Sequence, residues 1–324
     1  MVEHLRPATL SEALENRART HALPFAGGTD LMVQYRGYTG TRTRIEGPVL
    51  FLDAVEELRR IEAGPGGEAA GPTGGTSAGP PAAGPRGEPA GPAPAGAPPP
   101  VGAGELTIGA GVTYSEMLAV EELPTLLRQA VERIAAPGLR NRATMAGNLC
   151  NASPAADCLP PLYVHEATVR VSSVRGERVI PIAEFPTGPR TTVLEADEIV
   201  SAVTIPHLPA GRLYYRKVGT RKANALSKLS AAGYARMSGE RIEEFRFAVG
   251  AVAPTVVRLS HAEELLRGAR RGEVSLEAVL EAAEGAMKPI DDQRSTATYR
   301  REVALNALRE FLSELLESDT SEET

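Results

Sequence analysis

The sequence predicts a mixed fold of helices and strands, and three observations describe its organisation. Strand-like and helix-like runs alternate along the 324 residues. Two runs rich in glycine and small polar residues interrupt that alternation, at 26–31 and 142–160. A low-complexity block at 63–104 separates two strand-like runs in the first half of the chain. A chain of this length can bury a large core and can form two or three domains.

The individual elements follow from local pattern, taken in chain order. An N-terminal helix is predicted with Thr9 or Ser11 as its cap. Further helices are predicted over 31–36, 114–120 and 123–134, and strands over 49–53, 105–111, 167–171 and 198–205. Residues 211–236 and 241–252 predict a sheet, and 260–316 predict helices.

The block at 63–104 differs from the rest in composition. Of its 42 residues, 35 are Gly, Pro or Ala, and Val101 is its only larger apolar side chain. Such a segment buries too little apolar surface to offset the entropy lost on ordering. We therefore predict a disordered loop inserted between two strands.

Composition excludes several classes of protein. A net charge of −6 argues against nucleic-acid binding, which needs a basic patch. No window of about 18 apolar residues is present, and the N-terminus lacks a signal-peptide core, so we expect no transmembrane segment and a cytoplasmic location. Cys150 and Cys158 are the only cysteines and the five histidines are scattered, so no metal site is predicted.

The run at 26–31 predicts a phosphate-binding turn. Its adjacent glycines, Gly27 and Gly28, follow a strand-like run and precede a helix-like one. Backbone N–H groups at such a position favour an anion. Asp30 is expected to cap the helix, since a carboxylate would repel phosphate.

The run at 142–160 predicts a second backbone cradle. It holds small and polar residues at close spacing, among them Thr144, Gly147, Asn148, Asn151 and Asp157. Two such cradles suggest a ligand with a long polar middle, such as a dinucleotide. A Rossmann site over 108–114 is rejected, because the third glycine position of that motif is a tyrosine.

Six segments of this chain resemble, in order, the FAD-binding subunit of the molybdenum hydroxylases. This family includes xanthine dehydrogenases and the medium subunits of carbon monoxide dehydrogenase-like enzymes. The segments are PFAGGTDLMVQYR at 24–36, IGAGVTYSEM at 108–117, RNRATMAGNLCNASPAADCLPPL at 140–162, EFPTGPRTTVLEADEIVSAVTIP at 184–206, YYRKVGTRKANALSKLSAA at 214–232 and DDQRSTATYRREVALNAL at 291–308.

The resemblance implies a fold and a domain division. It implies an α+β, two-subdomain FAD-binding unit of the vanillyl-alcohol-oxidase-like type over 1–208, with the insert at 63–104. A C-terminal α+β domain of the carbon monoxide dehydrogenase flavoprotein type would occupy 209–318, and 319–324 would be a frayed tail.

The resemblance also implies the cofactor-binding residues. Asp157 is expected to accept hydrogen bonds from the ribityl hydroxyls, and Lys228 is expected near the flavin ring. Only four lysines occur in the chain, and Lys217 and Lys222 are expected on the solvated surface. The full expected set is Phe25, Ala26, Gly27, Gly28, Thr29, Asp30, Leu31, Ile134, Ala135, Thr144, Gly147, Asn148, Asn151, Asp157, Val200 and Lys228.

The implied function is electron transfer without substrate chemistry on this chain. FAD would be bound non-covalently and would receive electrons from [2Fe–2S] clusters on a small subunit. A large subunit would carry the molybdenum cofactor, in a dimer of heterotrimers. No catalytic residue is expected here, because no nucleophile–base arrangement occurs. Two alternatives remain open, a stand-alone flavin oxidase or dehydrogenase of the same superfamily and a scaffold that has lost FAD.

Overall fold

The computed structural model of the chain describes residues 3–36, 44–64, 104–221 and 224–317. The predicted insert, apart from its two ends, lies outside the described residues. So do the predicted tail at 319–324 and Lys222.

The N-terminal region forms a small parallel sheet with two helices. Its strands run in the order β1–β3–β2, with His4 and Leu23 both paired to Val49. Thr9 caps the first helix by accepting a hydrogen bond from the Glu12 N–H. The elements are β1 His4–Leu5, α1 Leu10–Thr20, β2 Leu23–Phe25, α2 Leu31–Gln34 and β3 Val49–Phe51.

The second region is built on a five-stranded antiparallel sheet in the order β4–β5–β10–β6–β7. A two-stranded sheet, β8–β9, lies beside it in the chain. The strands are β4 Ile61–Ala63, β5 Glu105–Gly109, β6 Thr168–Ser173, β7 Gly176–Pro181, β8 Pro186–Gly188, β9 Thr191–Thr192 and β10 Ile199–Pro206. The helices are α3 Tyr114–Leu118, α4 Thr125–Glu132, α5 Pro137–Arg140, α6 Met145–Cys150 and α7 Leu159–Val164.

The C-terminal region is a four-stranded antiparallel sheet followed by helices. Its strand order follows the chain, β11–β12–β13–β14. The strands are β11 Arg212–Gly219, β12 Ser227–Ser238, β13 Arg241–Gly250 and β14 Val257–Arg258. The helices are α8 Ser260–Leu266, α9 Leu276–Gly285 and α10 Ala297–Glu317.

Two apolar cores hold these regions together. The larger one joins the first two sheets and extends to Tyr215 and Tyr234 of the C-terminal sheet. The smaller one lies between that sheet and its helices, around Phe245, Phe247 and Phe311. Burial of this apolar surface is the main favourable term in folding.

Two arginines also attach the C-terminal sheet to α7. Arg246 donates to the carbonyl of Val164 at 2.8 Å, and Arg258 donates to that of Tyr163 at 3.0 Å. Both carbonyls lie in the last turn of α7, where backbone acceptors lack intrahelical partners. The attachment fixes the C-terminal region beside the segment that carries Asp157.

The structure confirms the predicted α+β class and most elements. Pro124 precedes α4, and the strand predicted over 198–205 is β10. Asp30 occupies the N-cap position of α2, but its side chain makes no capping hydrogen bond. Within the described ranges, no helix combines the length and apolarity that a bilayer crossing needs.

Candidate cofactor-binding site

A cleft of about 830 Å³ runs between the three regions of the chain. Its walls come from the loop after β2, from the segment 134–157, from the start of β10 and from the β11–β12 hairpin. The volume lies within the range of about 300 to 1,000 Å³ that is typical of ligand and cofactor pockets.

The loop 26–31 presents a row of free backbone donors to this cleft. No hydrogen bond among the described residues uses the N–H groups of these six residues. Consecutive amide donors form a nest suited to an oxyanion. The loop therefore fits the phosphate-binding role predicted from its glycines.

Both glycines of this loop are required by close approach. A Cβ on Gly27 would lie 2.0 Å from the carbonyl oxygen of Arg142. Gly28 has a φ of +71°, and a Cβ there would meet the Phe25 ring at 2.1 Å. Gly27 thus allows the first loop, residues 26–31, to contact the second loop, residues 142–157. Gly28 allows the turn that exposes the amides.

The second loop is organised by the cap of α6. Thr144 Oγ1 accepts a hydrogen bond from the Gly147 N–H at 3.0 Å. The Oδ1 of Asn148 is buried and has no hydrogen-bond partner among the described residues. A buried polar atom without a partner is costly, so Asn148 fits a ligand that donates to it. Ala146 lies inside α6 and does not have a positive φ.

The turn at Ile134 and Ala135 forms another part of the wall. Ala135 has a φ of 50°, in the left-handed region that costs a non-glycine residue about 1 to 2 kcal/mol. Arg140 holds this turn by donating from Nη1 to the Ile134 carbonyl at 2.8 Å. Backbone strain of this kind concentrates at ligand sites.

Asp157 is held in the cleft by two residues of the C-terminal sheet. Lys217 Nζ donates to Asp157 Oδ2 at 2.8 Å, and Ser227 Oγ donates to Oδ1 at 2.5 Å. The side chains of the ion pair are only 9% and 11% exposed. Lys217 also donates to the Arg133 carbonyl at 2.8 Å, which fixes its position. Asp157 directly precedes Cys158, which occupies the N-cap position of α7.

Fifteen of the sixteen expected residues line this one cleft. The exception is Lys228, whose Nζ lies 4.9 Å from the centre of the Tyr299 ring. Lys217, which was expected on the surface, is the lysine in the cleft. The expected surface position of Lys217 is therefore corrected, and a position of Lys228 near the flavin ring stays a prediction.

Several lining residues were not among those expected from sequence. Gln34 donates to Asn151 Oδ1 at 2.8 Å and to the Asp30 carboxylate, which joins the first loop to the second. Tyr114 lies on the wall with its hydroxyl accepting from Cys158 Sγ at 3.5 Å, and burial raises the pKa of the phenol. A signal was available for Lys217 alone, in the scarcity of lysine.

The charge of the lining favours an anionic ligand. Five cationic side chains face three carboxylates, and one of these, Glu198, is already paired with Arg178 at 2.7 Å. That hydrogen bond lowers the pKa of Glu198. The cations are Arg17, Arg190, Lys217, Arg221 and Arg294.

No group of three or more His, Cys, Asp or Glu side chains in the described part of the chain could hold a metal ion. The free amides, the unpartnered Asn148 oxygen and the excess positive charge together fit FAD, whose middle is a pyrophosphate.

Two family models match most of the folded chain. The FAD binding domain in molybdopterin dehydrogenase matches residues 101–208. The CO dehydrogenase flavoprotein C-terminal domain matches residues 214–315.

Relatives in sequence agree with these matches. The xanthine dehydrogenase FAD-binding subunit of Escherichia coli O157:H7 is 32% identical over 218 residues, 65% of this chain and 74% of that protein. The carbon monoxide dehydrogenase medium chain of Hydrogenophaga pseudoflava is 26% identical over 211 residues, 64% of this chain and 74% of that protein.

A solved structure shares the fold. Carbon monoxide dehydrogenase from Hydrogenophaga pseudoflava, in a form that lacks the Mo-pyranopterin moiety of its cofactor, superposes with a TM-score of 0.75 at 22% identity. The match covers 95% of each chain. Cleft, family models and relatives lead to one conclusion: this chain belongs to the family of FAD-binding subunits of the molybdopterin dehydrogenases.

Proposed function

We propose that this chain carries electrons from [2Fe–2S] clusters of a partner subunit, through bound FAD, to an external acceptor. The observation that carries the proposal is the cleft, in which two backbone loops and a buried lysine meet. The absence of a nucleophile–base pair in the sequence supports a role in electron transfer rather than in substrate chemistry.

The residues of the cleft divide the work of holding the cofactor. The amides of 26–31 and the cap of α6 would bind the pyrophosphate. Asp157 would accept from ribityl hydroxyls through lone pairs that Lys217 and Ser227 leave free. The ammonium of Lys217 would stabilise negative charge that accumulates in the cleft on reduction.

The chemistry that FAD supplies when bound is the uptake of single electrons and their release in pairs. The protein's part is position and electrostatics. The Lys217–Asp157 pair is little exposed, so its field is screened less by solvent than that of a surface pair.

The proposal includes partners and location. A small subunit would carry the [2Fe–2S] clusters and a large subunit the molybdenum cofactor, as a dimer of heterotrimers in the cytoplasm. The names of the relatives, which are medium chains or FAD-binding subunits, support an assembly of this kind. Both cysteines are free thiols, which suits a reducing compartment.

The first experiment is purification of the full chain together with its partners. We expect a molybdopterin-containing large chain and an iron–sulfur chain to co-purify, with one FAD per copy of this chain. Acid precipitation should release all of the flavin, since no covalent bond is proposed. A pellet that stays yellow would contradict the non-covalent binding, and Cys150, which is exposed at the cleft, would be the first candidate for the attachment point.

Rapid reduction separates this role from that of a stand-alone oxidase. Substrate of the complex should reduce the flavin only when the iron–sulfur chain is present. Flavin reduction by an organic substrate with this chain alone would contradict the proposal.

A further inference from the structure

A second pocket of about 340 Å³, here called the basic pocket, opens beside the cleft. Its lining combines the loop 151–155, the turn at 251–254 and the segment 288–300 that leads into α10. The basic pocket is continuous with the cleft, because six residues line both: Asp30, Asn151, Ser153, Ala155, Arg190 and Arg294.

Three exposed cations line the basic pocket and have no ion-pair partner within the described ranges. Arg190, Lys288 and Arg294 form no ion pair with any described residue. The chain as a whole carries a net charge of −6, so a small pocket lined by three cations without ion-pair partners among the described residues differs from its overall composition. Such a cluster lowers the free energy of an anion in the pocket.

The two carboxylates of the basic pocket are already engaged. Asp292 accepts from Arg300 Nη2 at 2.7 Å and from the N–H groups of Arg294 and Ser295 at 2.7 and 3.1 Å. The hydrogen bond from Arg300 lowers the pKa of Asp292, so this carboxylate stays ionised and occupied. Asp30 accepts from the neutral amide of Gln34 and keeps its charge. The four cations and two carboxylates of the lining therefore leave an excess of two positive charges.

One buried residue of the lining, Arg300, has a donor for which the described part of the chain offers no acceptor. Arg300 is only 4% exposed, and its Nη1 donates to the Ile290 carbonyl at 3.1 Å. Its Nε is buried and has no hydrogen-bond partner among the described residues. A guanidinium presents donors in a planar fork that matches carboxylate and phosphate oxygens.

We propose that the basic pocket is a binding site for a phosphate-type oxyanion, held by Arg190, Lys288 and Arg294. The inference goes beyond the electron-transfer role, because it depends on the charges of this pocket and not on redox chemistry. The oxyanion has two possible sources. It is either the phosphate of a separate ligand, such as a phosphorylated acceptor, or a phosphate of the cofactor that reaches in from the cleft.

Calorimetric titration of the full, flavin-loaded chain with inorganic pyrophosphate tests the proposal. Lys288→Gln and Arg294→Gln each remove one cation from an exposed, unpaired side chain, so neither change threatens folding. We expect each to weaken pyrophosphate binding about threefold to tenfold, as loss of a charge-assisted hydrogen bond should. Arg267→Gln is the matched control, because Arg267 is exposed and lines neither pocket.

Lys288 distinguishes the two sources, because it lines the basic pocket and not the cleft. A separate ligand predicts weaker pyrophosphate binding in Lys288→Gln with an unchanged dissociation constant for FAD. A cofactor phosphate predicts instead that Lys288→Gln weakens FAD binding, and that pyrophosphate competes with FAD for the flavin-free chain. If neither constant differs from that of Arg267→Gln, no oxyanion site exists here and the proposal is overturned.

Discussion

At the scale of single residues, the site depends most on where a side chain is absent. Gly27 lies so close to the second loop that a Cβ would overlap the backbone of Arg142. Backbone atoms cannot move aside as the end of a flexible side chain can. The present distance between the loop 26–31 and the segment 142–160 is therefore possible only because residue 27 has no side chain.

We predict that Gly27→Ala destabilises the fold by about 2 kcal/mol, since overpacking typically costs 1 to 3 kcal/mol. The same change should weaken FAD retention, because the two loops would separate. Gly138→Ala is the control, since a Cβ at Gly138 meets no atom within 4 Å. Urea unfolding and flavin content after gel filtration measure both effects, and equal behaviour of the two variants would contradict the argument.

The second prediction at this scale concerns the two lysines of the β11–β12 hairpin. Breaking a largely buried ion pair costs about 3 to 5 kcal/mol, so Lys217→Met should lower the free energy of unfolding by an amount of that order. It should also lower the flavin midpoint potential by some tens of millivolts, where about 30 mV corresponds to 1.4 kcal/mol for two electrons. Lys228→Met removes a charge that lies over Tyr299 and should leave the potential unchanged.

A spectroelectrochemical titration of both variants, with FAD fully bound, decides the matter. A lower potential in Lys228→Met, with Lys217→Met unaffected, would restore the assignment made from sequence. Three of the four lysines lie within residues 217–228, but sequence alone did not show which of them lies beside the cofactor. Which lysine faces the cleft depends on the register between β11 and β12, and this register shifts between Val218 and Gly219. Residues 222–223 of the connection lie outside the described residues.

At the scale of elements, sequence pattern predicted the long, regular elements well and the short ones poorly. The strand over 198–205 and the helices around Pro124 are present with small shifts at their ends. The two glycine-rich segments, 26–31 and 142–160, could be recognised from their sequence, because clusters of Gly, Asn and Ser between periodic segments mark turns and loops. Asp30 could not be judged, because capping depends on a side-chain rotamer that a competing partner, Gln34, decides.

The end of α7 supplies a prediction on pH. His165 follows this helix, is 3% exposed, and holds the β10 carbonyl of Pro206 at 2.7 Å through Nδ1. Burial lowers the pKa of His165 from 6.5 to about 4. Between pH 6.5 and about 4, His165 is therefore protonated in the unfolded chain and neutral in the folded chain. The free energy of unfolding falls as the pH drops through this range.

By linkage, His165 should cost about 2 kcal/mol of stability between pH 7 and pH 5. His165→Asn keeps a donor near the Pro206 carbonyl and removes the titration. Urea unfolding at both pH values should show a smaller loss in this variant than in the natural chain. Identical losses of stability would mean that the pKa of His165 is the same in the folded and the unfolded chain.

At the scale of the whole molecule, six motifs in the family's order were enough to predict the class, and each of them contributes residues to the lining of the cleft. The arrangement of the walls was not predictable from local pattern. It depends on contacts far apart in sequence, such as Lys217 with Asp157 and Arg258 with Tyr163. The C-terminal region was expected as a separate domain, yet it supplies the two residues that hold Asp157.

The ends of the Gly/Pro/Ala-rich segment lead to a prediction at this scale. Strands β4 and β5 pair as neighbours, with Ala63 opposite Leu106, and the Gly64 N–H donates to the Glu105 carbonyl at 2.7 Å. The two ends therefore already lie at hairpin distance. Deleting 66–102 and joining the ends by Asn-Gly should leave the melting temperature and the flavin content unchanged. A large loss of either would show that the segment contributes to the fold.

The three-sided cleft has a consequence for the amount of this protein in a cell. A ligand that binds only the folded chain adds about 1.4 kcal/mol to its stability for each tenfold rise in free concentration above the dissociation constant. Because the walls come from three distant stretches of chain, opening any one of them releases the cofactor. Unloaded copies then populate open forms more often and are degraded first. When riboflavin is scarce, the amount of this subunit in the cell should accordingly fall, and flavin-free subunit should not accumulate.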